Sequence, residues 1–470
     1  MEEMWPWLVA AVVGVATLLY LSRKQPTSLQ HQIPGLPPSD PVKGNLGEVG
    51  ELGTLNDFQQ RYHAKFGGVF SFWYGDTQVV SIADPDYMRD INHLDTRPWL
   101  LFKFVEEWIG RKSTQFSKGA DHWRRRKAYM DPAFGIRAIE QYEPELLHIF
   151  TEECFPQWRE AAGRPQDLKQ LCLGTAIKTI SQVAFGDMKA NPQFISRFLH
   201  CYNVVWDHVY AAVKGQPSPI PEAEYKACLG EMRQVCREIV AARRQSGLFE
   251  PFRFIDLLLK ENDEDLIPCE MISFFVGGFH TTGFTLIWSL YFLAQYPVEQ
   301  ERILTEIQAN IPASQSIITS KDIKTGKFSA LLNFVDETLR MGRMGPFAGR
   351  ICETADIKLH DGKVIPKGTP IFQALGLILA SDGFWKDASE FFPDRFNSKI
   401  DPMAFMPFGG SGKRVCPGRT LLYTEVHIFL ANLIRGFHVS FPPGFDSRVE
   451  RVVGIVTNMK ADPQIVLTQR

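Results

Sequence analysis

Phe408-Gly409-Gly410-Ser411-Gly412-Lys413-Arg414-Val415-Cys416-Pro417-Gly418-Arg419 places glycines, basic residues and one cysteine directly ahead of a helical pattern. Leu422, Val426, Phe429, Leu430 and Leu433 recur at helical spacing and the run closes at Arg435-Gly436, so a helix is expected from about Pro417. Proline suits the first helical position, which puts Cys416 at the N-cap. There the helix dipole and free N–H groups, with Lys413 and Arg414, are expected to lower the thiol pKa and favour a thiolate. The glycines let the backbone approach a flat cofactor, and a thiolate is the ligand that pushes electron density onto haem iron. The residues alone leave two other readings open. Free cysteine is among the most buried residue types, and glycine-rich loops before helices also cradle phosphates.

Working outward, the run from Pro268 to Gln295 is apolar on nearly every face and stops at Tyr296-Pro297, which predicts a buried helix. Its length would also suit a membrane span. Gly277 and Gly278 in its middle each cost roughly 1 kcal/mol against alanine, so something must need the space. Glu337 and Arg340 lie on one helix face, as many solvated surface pairs do. Elsewhere, Val69 to Trp73 and Gln78 to Ile82 read as a hairpin, and Asp361-Gly362 centres a second. Mostly helical patterning from Asp121 to Met341, with no glycine/serine-rich linker, favours one large domain at residues 46–470.

A net charge near −2 gives no basis for nucleic-acid binding. Eight scattered cysteines without a C-x-x-C pair suggest neither a zinc site nor a secreted disulfide framework. Met4 to Leu21 carries no charge and precedes Arg23-Lys24, which predicts a membrane anchor over residues 1–24 with the body facing the cytoplasm. Ile33-Pro34-Gly35-Leu36-Pro37-Pro38 predicts a stiff hinge within residues 25–45.

Gly412, Arg414, Cys416 and Gly418 resemble the haem-binding loop of the cytochrome P450 superfamily. Ile33-Pro34-Gly35, Gly44-Asn45-Leu46, Phe70-Ser71-Phe72-Trp73-Tyr74-Gly75 and Val79-Val80-Ser81 are most similar to its family 20, an animal family generally described as orphan. One departure is visible: Phe408 stands eight residues before the cysteine, where relatives have it at seven. The resemblance implies a mainly α fold with small β-sheets and haem b (iron protoporphyrin IX) ligated by Cys416. It joins Glu337 and Arg340 to Arg395 of Phe392-Pro393-Asp394-Arg395-Phe396 in a buried structural triad. It makes Gly277 and Gly278 an oxygen groove and Thr281 the residue that steadies oxygen and its protons. Relatives carry an acid just before that threonine; here His280 stands there, either relaying protons from behind or sitting satisfied in the core. By position Trp123, Lys127, Arg350 and Arg414 are the expected propionate partners. Arg124 to Arg126 read as a solvated face, or as a patch steering an acidic electron donor.

Trp99, Phe102, Phe104, Trp108, Phe274, Phe275 and Phe279 are candidates for a substrate pocket, though such sets are more often plain core. The function implied is a monooxygenase of the endoplasmic reticulum membrane. It would take electrons from NADPH-cytochrome P450 reductase, with cytochrome b5 as a further donor, and act on a small lipophilic substrate. An isomerase or dehydratase working without reductase, and a non-catalytic haem sensor or carrier, are the alternatives on the same scaffold.

Overall fold

The computed structural model describes residues 33–186, 192–213, 216–410, 412–460 and 463–470, so the expected anchor and residues 25–32 of the hinge lie outside it. The remainder of the hinge is no free spacer. Ile33 is fully buried, the Ser71 N–H donates to Pro34 O at 2.8 Å, and the Leu36 N–H donates to Ser71 O at 2.9 Å. Residues 33–38 are thus docked on the first hairpin, because the prolines hold them extended and an edge strand offers unpaired backbone groups, and Asp40 to Gly44 close a turn after which the Asn45 N–H donates to Trp73 O at 2.8 Å.

That hairpin pairs β1 (Val69–Tyr74) with β2 (Thr77–Ile82) around Gly75-Asp76, with Gly75 at φ 65° as a two-residue turn requires. The helical body that follows contains α1 (Gly119–Arg125), α2 (Leu168–Phe185), α3 (Pro192–Val213), α4 (Glu222–Ser246), α5 (Leu266–Gln295) and α6 (Ser329–Gly342). Strands β3 (Ala348–Arg350) and β4 (Ile371–Gln373) return to complete a four-stranded sheet in the order β1-β2-β4-β3, with β2 and β4 parallel. Last of these comes α7 (Arg419–Gly436), packed against α5 and α6. The Asp361-Gly362 hairpin forms as Ile357–Lys358 against Val364–Ile365.

The 30-residue α5 runs through the interior with α2, α4, α6 and α7 around it, which is why its sequence is apolar on every side. Its burial argues for a core helix over a membrane span. The principal hydrophobic core joins all of these helices, while two smaller clusters sit under the sheet.

Candidate functional site

A cavity of about 360 Å³ lies between α5 and the loop that leads into α7. Cys416, Pro417, Gly418 and Phe408 line it from the loop, and Ser273, Phe274, Gly277, Gly278, Thr281 and Thr282 from α5. The loop is closed by the Cys416 N–H donating to Phe408 O at 3.1 Å. Gly409, Gly410 and Gly412 have φ of 83°, 91° and 77°, conformations costly for a side chain. This explains the displaced phenylalanine. Position 409 is left-handed, so the ring moves one residue back, still lines the cavity, and packs on Tyr423 at 5.3 Å. Tyr423 in turn donates to Asp336 Oδ1 at 2.6 Å.

Two expectations for Cys416 change. Helix α7 starts at Arg419 with Gly418 as its N-cap, so Cys416 precedes the helix instead of capping it. Lys413 and Arg414 do not face the sulfur: Lys413 pairs with Asp95 at 2.9 Å, and Arg414 donates to the carbonyls of Asp95, Thr114 and Ser117. Burial deep in the molecule pushes the Cys416 thiol up, opposed by the N–H groups of Gly418 and Arg419 and by the charges of Arg97 and Arg126. The sulfur is open to the cavity even though the protein surrounds it.

Around one rim stand Arg97, His122, Arg126, Arg350 and Arg414. Burial and mutual repulsion lower Arg97 to about 10, and Arg350 and Arg414 to about 9 each. Among the described residues the buried Nε atoms of Arg97, Arg126 and Arg350 have no hydrogen-bond partner. Trp123 and Lys127, expected here, are both exposed and line no part of the cavity; the Lys127 ammonium lies over the Trp123 ring at 4.8 Å. Helix geometry gives the reason: the inward face of α1 and the π-helical turn after it, Arg126–Met130, carries His122 and Arg126, one residue earlier in each case. His122 Nε2 donates to Lys413 O at 3.1 Å, and Arg126 donates to Val415 O at 2.9 Å, so both also brace the cysteine loop. Their i, i+4 spacing was visible in the sequence. Arg97, in the loop Thr96-Arg97-Pro98, had no periodic signal.

On α5, Thr281 donates its hydroxyl proton to Gly277 O, and Thr285 donates to Thr281 O at 2.8 Å. A Cβ on Gly277 would meet nothing within 4 Å, so the open space over this turn is real; one on Gly278 would strike Ile180. His280 faces the other way. Its ring is boxed by Tyr202, Trp206, Phe279 and Phe284, its Nδ1 meets the Tyr202 hydroxyl at 3.1 Å, and burial holds its pKa down at about 3. It sits as a neutral core histidine with Tyr202 as its partner, in place of the proton relay that its position beside Thr281 also suggested. Of the seven aromatic pocket candidates Phe274 alone lines the cavity; Trp108, Phe275 and Phe279 are core, and Trp99 is exposed.

Glu337, Arg340 and Arg395 do meet. Arg340 donates to both Glu337 oxygens at 2.7 and 2.8 Å, Arg395 Nε donates to Glu337 Oε1 at 3.1 Å, and Glu337 and Arg340 are wholly inaccessible. Arg340 also donates to Leu379 O and Ala388 O at 2.9 Å, pinning α6 to the segment that leads to the cysteine loop.

Comparison with known proteins agrees with this geometry. The family model described as Cytochrome P450 matches residues 34–460. Cytochrome P450 20A1 of Bos taurus is 26% identical over 467 residues, covering 98% of this chain and 97% of the relative. The protein of the same name from Rattus norvegicus is 26% identical over 469 residues with the same coverage. Cytochrome P450 3A13 of Mus musculus is 24% identical over 478 residues, covering 93% and 91%. A match of that extent, on a helical fold with small sheets, means that the chain belongs to the cytochrome P450 family and is, like its members, a monooxygenase with haem b as cofactor.

Proposed function

We propose that the protein inserts one oxygen atom of O2 into a small lipophilic molecule, anchored in the endoplasmic reticulum membrane by residues 4–21 and facing the cytoplasm. The carrying observation is a single cavity that joins the Cys416 sulfur, the Thr281 groove and a ring of buried arginines. Those residues fit haem b, a flat apolar group with two carboxylates. Phe134, Phe274, Leu421 and Leu422 supply apolar walls, and the unpartnered Nε atoms of Arg97, Arg126 and Arg350 ask for an anion. Cys416 would hold the iron, while Arg97, His122, Arg126, Arg350 and Arg414 would hold the propionates, whose negative charge would offset the burial and repulsion that lower Arg97, Arg350 and Arg414.

Bound there, haem supplies O2 activation, which a thiolate ligand favours. The protein's own share is positioning. Gly277 leaves room beside the threonine, and the Thr281 hydroxyl, tethered to the carbonyl one turn back, holds a proton at the groove. Exposed Trp123, flanked by the Lys127 and Lys413 ammonium groups at 4.8 and 5.9 Å, forms a basic surface beside the cysteine loop. It suits an acidic electron donor such as NADPH-cytochrome P450 reductase or cytochrome b5. A panel of lipophilic compounds screened for shifts of the haem spectrum, then incubated with reductase and NADPH, tests the function. Labelled oxygen from O2 in a product is the expected result; turnover of lipid hydroperoxides without NADPH would replace it with an isomerase.

A further inference from the structure

Oxygen insertion consumes two protons and two electrons for each O2, yet the residue before Thr281 is a neutral histidine turned away from the cavity. Glu270 is the one acidic residue in α5. It lies eleven residues before Thr281, close to three helical turns, and so on the same face as Ser273, Phe274, Gly277 and Thr281, which line the cavity. Glu270 is fully buried, and its two carboxylate oxygens differ sharply. Oε1 accepts from the Thr114 N–H at 2.7 Å, the Thr114 hydroxyl at 2.6 Å, the Tyr129 hydroxyl at 2.9 Å and Arg125 at 3.3 Å. Oε2, equally buried, has no partner among the described residues. Thr114 itself lines the cavity, one residue thick between Glu270 and the open space. On its outer side Arg125 also grips Asp121 at 2.8 Å, and Asp121 is 45% exposed, so the network reaches solvent.

We infer that Glu270 is held as the neutral acid and passes a proton from Oε1 to the Thr114 hydroxyl, 2.6 Å away, and so towards Thr281, as a positioning residue of the proton path. This rests on the monooxygenase reading. In the step, the Glu270 O–H bond breaks as Thr114 takes that proton and releases its own to water in the cavity. A proton from solvent restores the acid, so Glu270 is unchanged over a cycle, while Arg125, which stays charged throughout, holds the carboxyl in place. Reductase supplies the electrons and O2 is the oxidant. The groups that face Glu270 are Arg125 and Tyr129 from α1 and its following turn, Asp121 across Arg125, and Cys269 beside it on α5. Burial raises the Glu270 carboxyl above its ordinary value against the pull of Thr114, Tyr129 and Arg125, which is the direction a proton store needs.

The test compares haem-loaded wild type, Glu270→Gln, Glu270→Asp and Thr114→Val with reductase, NADPH and O2 and no added substrate, following hydrogen peroxide released per NADPH across pH. Glu270→Gln should raise the ratio of peroxide to water by about tenfold or more, the scale of a lost acid group, and flatten the pH profile. Glu270→Asp should restore part of both, and Thr114→Val should match Glu270→Gln while leaving the carboxyl in place. An unchanged partition and pH profile in Glu270→Gln and Thr114→Val overturns the inference. Infrared spectra of the same proteins without reductant give a separate readout. A carboxylic-acid stretch that shifts in D2O, titrates, and is missing from Glu270→Gln is expected, and its absence from wild type at every pH also overturns the proposal. Should wild type oxidise no NADPH, the monooxygenase reading fails while the infrared band still decides whether Glu270 holds an exchangeable proton.

Discussion

Replacing Arg340 by methionine removes the guanidinium from a site with no solvent access and leaves its partners in place. Glu337 Oε1 keeps Arg395 and the Phe392 N–H, and Glu390 O keeps Arg395, so neither is stranded. Glu337 Oε2, Leu379 O and Ala388 O lose the partner that Arg340 gave them. Each buried group left unsatisfied costs about 1–3 kcal/mol, and breaking a buried ion pair from one side costs about 3–5 kcal/mol. A loss of about 4 kcal/mol follows, a large share of the roughly 5–15 kcal/mol that holds such a protein folded. The double change Glu337→Leu/Arg340→Met should cost less than the sum of the single changes by about 2 kcal/mol, because the Glu337–Arg340 contact is counted in both singles and no buried Oε2 is left without its donor. Guanidinium unfolding at equal haem loading, followed by far-UV circular dichroism and by the haem band together, measures all three. A loss below about 1 kcal/mol for Arg340→Met, or strict additivity of the pair, would mean that the cluster stabilises no more than a surface ion pair does.

Three further outcomes are expected. His280, with its pKa held near 3, binds no proton in the folded state where the unfolded chain does, so its contribution is intact above the ordinary histidine value of 6.5 and is lost as pH falls from there towards 3. His280→Phe should flatten the decline of stability over that window by up to about 1.4 kcal/mol per pH unit and leave any pH profile of turnover alone; a shifted turnover profile would reinstate it as a proton carrier. Gly110 has φ 80° and its absent Cβ would collide with Cys269 Sγ, so Gly110→Ala should cost about 2 kcal/mol or more, with Cys269→Ala recovering the collision but not the backbone strain in a double-mutant cycle. Arg350→Leu should speed haem transfer to an acceptor globin by about tenfold or more, as loss of a charge-assisted bond implies; unchanged transfer would remove Arg350 from the propionate set.

The legible parts of the molecule were those governed by period and by backbone chemistry. The β1–β2 hairpin announces itself through two β-rich runs joined at Gly75-Asp76, and α5 through an apolar run that stops at a proline. The Glu337–Arg340–Arg395 cluster was legible only through resemblance, since a Glu and an Arg three apart are common on solvated faces. What the sequence hid was rotation and distance. A one-residue offset around α1 exchanges exposed Trp123 and Lys127 for inward His122 and Arg126, and single-residue periodicity arguments are weakest over short helices interrupted by a π-turn. Phe408 looked misplaced because its reason is a positive φ at position 409. Arg97 and Thr114 sit in loops and reach the cavity through tertiary packing alone.

Ligation of the iron by the Cys416 sulfur is read out by the absorption spectrum of the reduced protein under carbon monoxide. The expected result is a Soret band at the position particular to thiolate ligation, lost in Cys416→Ala with the secondary structure retained. A wild-type band typical of neutral imidazole ligation, or a thiolate-type band that survives in Cys416→Ala, would contradict it.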